Sequence, residues 1–459
     1  MTKVFLFGID GATPELIFGR WKEHLPTIRK LMERGCFGTT RSTIPPLTIT
    51  AWNSMISGKD PSEIGVFGYT SRDAQGNPKL VNSQHIRCKL LWDILGERKK
   101  SIALFVPLSY PVKPINGCMV SDFLTPSVES NCAYPAWLHE KVKNVPRPEA
   151  FFDVVAGLAG HKSLAIETLL ERTYAMTDMQ VALAKELLAT QPWDFFMAVM
   201  LGTDRLQHML WRHFDETHRR HIPDSPHKSA LLDYYIYIDR KLAELLALLD
   251  EETVVIVASD HGMVKQEGKI NLNNWLLGQG YLVLKQGADP RAKQRFDLSL
   301  VDLDRTLAYG SGAYQARVYI NRKKAGQAYE RIVQELIEKL RAIPDDSGKK
   351  LETKVYRKEE IYRNPELPEC PDLTVYFDDL RWASNPDFGA EGLYSWETAV
   401  GADSAGHSRS GSFLIAGKGI AHKGMIAEID IAQIAPTVLD LLGVPIPPDI
   451  RVPKAEVRQ

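Results

Sequence analysis

The sequence has little net charge, few cysteines and no long apolar run. Its 56 Lys and Arg residues nearly balance its 57 Asp and Glu residues, so no global field favours nucleic acid or an anionic membrane as a partner. The five cysteines are an odd number without a CxxC pair, which indicates reduced thiols instead of a disulfide framework. The apolar run Val4–Ile9 is interrupted at once by Asp10, so it predicts neither a signal peptide nor a membrane span. We therefore expect a cytoplasmic protein without a stable nucleic-acid or membrane partner; no pattern indicates an oligomeric state.

Length and periodicity predict an α/β fold. A chain of 459 residues with 44% hydrophobic and 25% charged residues can bury a sizeable core. Short apolar runs alternate with amphipathic helices, which is typical of a mostly parallel sheet with helices on both faces. The predicted strands are Val4–Ile9, Ser101–Phe105, Asp194–Met200, Thr253–Ala258 and Ser412–Ala416. The predicted helices are Leu25–Arg34, Leu164–Ala189, Ser225–Leu249 and Ile431–Leu442.

The character of the chain changes between His261 and His407. Segments such as INLNNWLLGQGYLVLK, AYERIVQELIEKLRAI and DLTVYF resemble the parts of a smaller, separate α/β unit. We therefore predict a core formed by residues 1–263 and 398–459, and an inserted α/β cap domain formed by residues 264–397.

Acidic residues and histidines follow three of the predicted strands. Asp10 comes after VFLFGI, Asp204 after FFMAVMLGT, and Asp260 and His261 after VVIVAS. The carboxyl ends of strands are where ligands bind in an open α/β sheet. An Asp at a strand end also makes turns and caps helices, so each motif taken alone is ambiguous.

Two further histidines strengthen the pattern. His208 lies four residues after Asp204, so both side chains share one face if a helix begins there and can bind one ion. As an isolated pair this spacing is more often a surface ion pair. His407 lies in the loop-like segment GADSAGHSRSG, where an imidazole is usually solvated. The conjunction of all these motifs predicts a metal-dependent phosphoryl-transfer site.

The segment STIPPLTITAWNSMISG contains the candidate nucleophile. A cation bound to a threonine oxygen makes that hydroxyl a competent nucleophile, and a helix that starts nearby offers backbone N–H groups to a phosphate. Thr48 and Thr50 both fit this description, and residue chemistry alone does not choose between them.

The chain resembles the alkaline phosphatase superfamily, on the branch of the nucleotide pyrophosphatases and type I phosphodiesterases. The similarity covers about Thr2–Tyr69, Ala189–Met263 and Thr398–Pro448. The resemblance implies an alkaline-phosphatase-like three-layer sandwich. The C-terminal run EIDIAQIAPTVLDLLGVPIPP is similar to the closing helix and loop of the superfamily.

The resemblance also implies residue roles. In that family a threonine nucleophile lies ten residues before the Gly of a (T/S)G pair, with a Pro three residues before the threonine. Counting back from Gly58 gives Thr48, and Pro45 is in place. Two ions are then implied, one held by Asp10, Thr48, Asp260 and His261, and the other by Asp204, His208 and His407. A set of Asp and His ligands without cysteine favours Zn²⁺, with Mn²⁺ as a possible substitute.

The chain departs from the family pattern at two positions. Trp52 stands where relatives often have His, and Tyr69 stands where the phosphodiesterases have an Asn that binds a phosphate oxygen. The phenol of Tyr69 is therefore a candidate oxyanion donor. Trp52, Lys59 and Arg409 are candidate substrate contacts, although both charged residues have the alternative of being solvated surface charges.

These observations predict a metal-dependent phosphohydrolase or phosphodiesterase that acts through a phosphothreonine intermediate on a small organic phosphate ester or nucleotide-like substrate. A phosphomutase of the same superfamily is the first alternative, although such mutases of the phosphoglycerate type insert a domain soon after the nucleophile. A non-catalytic metal-binding scaffold is a second alternative. A sulfatase is disfavoured because the nucleophile segment has no CxPxR-like motif.

Overall fold

The computed structural model describes residues 2–72, 78–155, 160–398, 401–421 and 424–458. The described strands are β1 (Lys3–Ile9), β2 (Gly35–Arg41), β3 (Thr70–Arg72), β4 (Pro78–Leu80), β5 (Ser101–Leu104), β6 (Gly117–Val120), β7 (Ala133–Tyr134), β8 (Phe195–Met200), β9 (Thr253–Ala258), β10 (Gly262–Lys265), β11 (Gly268–Asn271), β12 (Ala308–Ser311), β13 (Ala316–Ile320), β14 (Lys354–Arg357), β15 (Leu373–Tyr376), β16 (Trp382–Asn385), β17 (Tyr394–Ser395), β18 (Glu397–Thr398), β19 (Gly401–Ala402), β20 (Ala405–Ser408), β21 (Ser410–Ala416), β22 (Gly424–Met425) and β23 (Ile429–Asp430).

The described α-helices are α1 (Pro26–Arg34), α2 (Thr48–Ser57), α3 (Pro61–Ile64), α4 (Leu91–Leu95), α5 (Ala136–Lys143), α6 (Ile166–Thr190), α7 (Gly202–Phe214), α8 (Ala230–Leu246), α9 (Leu272–Gly278), α10 (Arg322–Ala325), α11 (Tyr329–Arg341), α12 (Lys358–Ile361) and α13 (Ile434–Leu441). Within the described residues, none of these helices combines the length and apolar character needed to cross a bilayer. The cytoplasmic location stays a prediction.

A large mostly parallel sheet forms the centre of the fold, as the sequence predicts. Its strands follow the order β22-β2-β21-β9-β1-β8-β5-β6-β7. Strands β9, β1, β8, β5 and β6 run parallel to one another, whereas β21 runs antiparallel to both β9 and β2. Strand β2 was not predicted, because its sequence GCFGTTR has two glycines and little apolar character. The site described below lies at the carboxyl ends of β9, β1 and β8.

The two faces of the sheet are both covered, which confirms the three-layer arrangement. Phe5 and Phe7 of β1 contribute to one buried cluster together with residues of α1, α6, α7 and α8. Val4 and Leu6 point the other way and join a second cluster with residues of α2, α4 and α13. Alternation of side chains along a strand is what divides the two clusters.

The predicted helices are present with small shifts at their ends, apart from the last one. The predicted helix Ile431–Leu442 consists of a 3₁₀ turn, Ile431–Gln433, followed by α13. The Asp430 carboxylate accepts a hydrogen bond from the backbone of Ala432 and fixes that first turn.

Residues between His261 and His407 have a sheet and a core of their own. Strands β12, β13, β15 and β14 form a four-stranded sheet, and α11 packs Val333 and Leu336 into a cluster with Val318 and Val375. The boundaries at 263/264 and 397/398 stay a prediction.

Candidate active site

Three neighbouring strands bring the carboxylates to one edge of the sheet. Asp10 follows β1 and Asp260 follows β9, while Asp204 lies in the first turn of α7 just after β8. Gly11 has a φ of 68°, which a glycine adopts without strain. Its backbone N–H donates to Asp260 Oδ1 at 3.2 Å. The turn after β1 therefore ties two of the three carboxylates together.

Asp10, Asp260 and His261 form the first cluster of possible metal ligands. All three side chains are fully buried. His261 Nε2 lies 3.1 Å from Asp260 Oδ2 and 3.7 Å from Asp10 Oδ1. Gly262 follows directly, and a Cβ there would lie 2.2 Å from the Ser410 carbonyl oxygen. A larger residue at position 262 would push β10 away from β21, the strand that begins at Ser410.

Asp204, His208 and His407 form the second cluster. The two residues of α7 lie one helical turn apart, and His208 Nε2 is 3.3 Å from Asp204 Oδ1. His407 Nε2 is 3.4 Å from the same oxygen and 3.3 Å from His208 Nε2. His407 belongs to the short strand β20, and not to a solvated loop as its glycine- and serine-rich context suggested. Pairing of β20 with β10 places His407 opposite Met263, two residues from His261.

Backbone carbonyls orient all three imidazoles in the same way. The Nδ1 atoms of His208, His261 and His407 donate to the carbonyl oxygens of Ala405, Gly262 and Pro46, at 2.8, 3.0 and 2.8 Å. A carbonyl oxygen can only accept, so Nδ1 of each ring carries a proton and Nε2 is the atom left to bind a cation. This arrangement is the usual outer-shell support of a metal-binding histidine.

Each carboxylate is held by one oxygen only. Trp52 Nε1 donates to Asp10 Oδ2 at 2.8 Å, and Arg205 Nη1 donates to Asp204 Oδ2 at 3.0 Å. The Gly11 N–H holds one oxygen of Asp260. The other oxygen of each carboxylate is buried and has no hydrogen-bond partner among the described residues. Those oxygens lie 3.1–3.7 Å from Nε2 atoms of the histidines, and a cation bound between them would supply the partner that these buried oxygens lack.

Burial shifts the pKa values of these groups. Burial raises the pKa of Asp10 well above its usual value, and the neighbouring Asp204 charge adds to the shift. The pKa of Asp260 is raised for the same reasons, with Asp10 as the nearby charge. Burial lowers the pKa of His261 and His407. This direction favours the neutral form of His261 and His407, which metal binding requires.

Thr48 is the first residue of α2 and faces the first cluster. Its Oγ1 atom lies 3.3 Å from His261 Nε2, and its side chain is 2% exposed. Thr50 is turned away, because its hydroxyl donates to the carbonyl oxygens of Leu47 and Pro45. Tyr69 adjoins Thr48: burial raises the pKa of its phenol, and a hydrogen bond with the Thr48 side chain opposes that shift.

A cavity of about 300 Å³ opens in front of the second cluster and Thr48. Apolar and cationic side chains share its wall. They include Tyr69, His161, Lys162, Arg205 and Tyr314. The Tyr314 ring stacks on His407 with 4.5 Å between centroids, and its hydroxyl lies 3.3 Å from His208 Nε2.

The structure does not bring the three predicted substrate contacts into this cavity. Trp52 is fully buried behind Asp10, and its Nε1 donates to the Asp10 carboxylate. Lys59 follows the far end of α2, where it pairs with Asp449. Arg409 donates to the carbonyl oxygen of Ser42 at 3.1 Å and 3.3 Å. Both cations are thus held by the protein itself and do not line the cavity.

Several lining residues escaped the sequence analysis. Arg205 makes a bidentate contact with Asp153. Because Arg205 directly follows the metal-ligand candidate Asp204, its position in the sequence indicated that it lies near the site. His161, Lys162 and Tyr314 lie in segments without a recognisable motif. Their approach to the site depends on tertiary packing alone.

Comparison with known proteins identifies the family. Residues 4–399 match the family model described as type I phosphodiesterase / nucleotide pyrophosphatase. The chain belongs to this family. As a member of the phosphodiesterase family, it is an enzyme, a hydrolase that acts on phosphoric ester bonds. The family is metal-dependent, and the two ligand clusters of this phosphodiesterase are candidate metal sites.

Solved structures share the fold of this phosphodiesterase. An inactive variant of the murine ectonucleotide pyrophosphatase/phosphodiesterase 5, in complex with AMP, gives a TM-score of 0.57 at 13% identity, with 98% of this chain and 96% of that chain covered. The human protein of the same name gives 0.55 at 14% identity, with 97% and 96% covered. No curated protein matches the sequence.

Proposed function

We propose that the protein hydrolyses phosphodiester or pyrophosphate bonds of small nucleotide-like substrates, with Thr48 as nucleophile and two divalent cations as cofactors. The convergence of unpartnered carboxylate oxygens and imidazole lone pairs in two buried clusters carries this proposal. The AMP complex of the murine structure supports a nucleotide substrate, since the two proteins share a fold.

The two clusters would hold one ion each. Asp10, Asp260 and His261 would bind the first ion together with the Thr48 hydroxyl, and Asp204, His208 and His407 would bind the second. Oxygen and nitrogen ligands without thiolate favour Zn²⁺, and Mn²⁺ suits the same donors. Two bound cations would lower the pKa of the threonine hydroxyl and neutralise charge on the leaving oxygen.

The chain's own groups position the phosphorus. The N–H groups of Thr48 and Ile49, the first two residues of α2, have no acceptor among the described residues and suit a phosphate oxygen, whereas that of Thr50 donates to the Leu47 carbonyl. The Tyr69 phenol stays protonated because burial raises its pKa, so it can donate to a second oxygen. Thr48 Oγ1 then attacks in line. Its bond to phosphorus forms as the bond to the leaving oxygen breaks, and water later cleaves the phosphothreonine and restores Thr48.

Hydrolysis of two chromogenic esters tests the proposal. Chelator-stripped protein is refilled in parallel with Zn²⁺, Mn²⁺ and Mg²⁺, and turnover of bis-p-nitrophenyl phosphate is compared with that of p-nitrophenyl phosphate. We expect metal-restored activity with a preference for the diester. Preference for the monoester would contradict the phosphodiesterase function, and activity that is indifferent to chelation would contradict the metal assignment.

Substitution at Thr48 tests the nucleophile. We expect Thr48→Ala to lower kcat by at least about 1,000-fold while both ions remain bound, as measured by elemental analysis. Thr50→Ala is the matched control, because its hydroxyl lies on the same helix but bonds only to backbone carbonyls. Full activity of Thr48→Ala would refute the role assigned to this hydroxyl.

A further inference from the structure

His161 is a buried imidazole that the proposed mechanism does not use. It is 3% exposed, and neither ring nitrogen has a hydrogen-bond partner among the described residues. The ring therefore lines the cavity with nitrogen atoms that no protein group satisfies.

Lys162, the next residue, belongs to a buried group with surplus positive charge. Its Nζ lies 2.6 Å from Asp403 Oδ1, and Lys269 Nζ lies 3.0 Å from Asp403 Oδ2. All three side chains are at most 6% exposed. Two ammonium groups thus share one carboxylate. A buried charge without a full counter-charge is costly, so the cavity favours an anion beside Lys162.

The two candidate metal clusters show where His161 and Lys162 lie relative to the leaving group. Thr48 lies against the first cluster, so a leaving oxygen in line with it faces the second cluster. His161 and Lys162 lie beside that second cluster. The ring of His161 is 5.8 Å from that of His208 between centroids, and Asp403 Oδ1 is 3.5 Å from His208 Nδ1.

We propose that His161 and Lys162 form a subsite for an anionic leaving group, and that they select substrates whose leaving oxygen carries a further phosphate over substrates with an uncharged alcohol. This inference rests on the proposed function, because it takes Thr48 as the nucleophile. Lys162 would supply charge and His161 a hydrogen bond. Asp403 would keep the Lys162 ammonium at the cavity wall, as a positioning residue.

Two substrates that share one transferred group test the subsite. Thymidine 5′-triphosphate releases pyrophosphate, whereas the p-nitrophenyl ester of thymidine 5′-monophosphate releases an aryl alcohol. We expect Lys162→Met to lower kcat/KM for the triphosphate about 10- to 100-fold and for the aryl ester less than about 3-fold. Lys162→Arg should restore most of the lost preference, since it keeps the charge.

Lys269 provides the matched control. It pairs with the same carboxylate and is equally buried, but it does not line the cavity. We expect Lys269→Met to affect both substrates alike. Equal losses for both substrates in Lys162→Met, or a selective loss in Lys269→Met, would overturn the assignment. If Lys162→Met does not fold, His161→Asn takes its place. We expect His161→Asn to lower kcat/KM for the triphosphate selectively, by about 5- to 10-fold. An equal loss for both substrates in His161→Asn would also overturn the assignment.

A binding measurement separates this inference from the proposed function. Pyrophosphate is titrated calorimetrically into the zinc-loaded protein and into Lys162→Met. We expect the variant to bind pyrophosphate at least about 10-fold more weakly. If the unaltered protein hydrolyses neither substrate, the proposed function fails, and the pyrophosphate titration alone then tests whether the subsite exists. Equal affinity of the two proteins for pyrophosphate would refute the subsite.

Discussion

Replacement of Trp52 by Phe isolates the hydrogen bond that supports one candidate metal ligand, Asp10. The indole Nε1 donates to Asp10 Oδ2 at 2.8 Å, and the side chain is fully buried. Removal of the donor leaves a buried carboxylate oxygen unpartnered. A hydrogen bond to a charged group contributes about 1.5–3 kcal/mol, and loss of an outer-shell partner typically weakens metal binding about 10- to 100-fold.

Trp92 offers a control that removes the same atoms. It lies in the same buried cluster as Trp52 and is 3% exposed. Its Nε1 has no hydrogen-bond partner among the described residues. Trp92→Phe therefore leaves a comparable void without breaking a hydrogen bond, and the difference between the two variants reports the contact with Asp10.

The assay is a zinc titration of chelator-stripped protein by calorimetry, together with urea unfolding of the zinc-loaded forms. We expect Trp52→Phe to bind one of its two ions about 10- to 100-fold more weakly and to be less stable than Trp92→Phe by about 1.5–3 kcal/mol. Equal zinc affinity of Trp52→Phe and Trp92→Phe would refute the reasoning, whatever their stabilities.

Two further predictions concern packing and protonation. A Cβ at Gly8 would lie 2.5 Å from the ring of Trp52, so we expect Gly8→Ala to lower the free energy of unfolding by about 1–3 kcal/mol. Gly278→Ala is the control, because the space around its Cβ is open. Equal urea midpoints of the two variants would contradict the clash at Gly8. Burial raises the pKa of Asp10 and Asp260 well above 3.8. The stability that these groups give the metal-free protein is therefore fully present below pH 3.8 and is lost as the pH rises through their folded pKa values. Zinc must displace those protons, so we expect it to raise Tm more at pH 8 than at pH 6, and a larger increase at pH 6 would reverse the assigned direction.

Local pattern was sufficient for the strands that carry the carboxylates. Apolar runs such as Thr253–Ala258 stand out because a strand buried on both faces needs apolar residues throughout, and Asp260 lies two residues after this run. The spacing of Asp204 and His208 indicates one shared face if a helix begins after the strand, and α7 is that helix, with His208 one turn after Asp204. These features depend on neighbours in sequence, so the sequence by itself determined them.

The family resemblance names the members of the two candidate clusters, which the structure brings together, but the sequence does not show which residues support them. The indole of Trp52 was predicted to contact substrate, yet it lies behind Asp10 and donates a hydrogen bond to that carboxylate. Residue chemistry does not separate Thr48 from Thr50. The family spacing favours Thr48, and the direction of each hydroxyl relative to α2 separates them in the structure. Lys59 and Arg409 lie elsewhere because acceptors in other segments hold them.

Tertiary structure alone decided the cavity. His161 and Lys162 come from a segment without a motif, and Asp403 approaches them from more than two hundred residues away. Spacing along a helix or strand encodes which side chains share a face. It does not encode which distant segments meet, because packing of whole elements around the core sets those contacts.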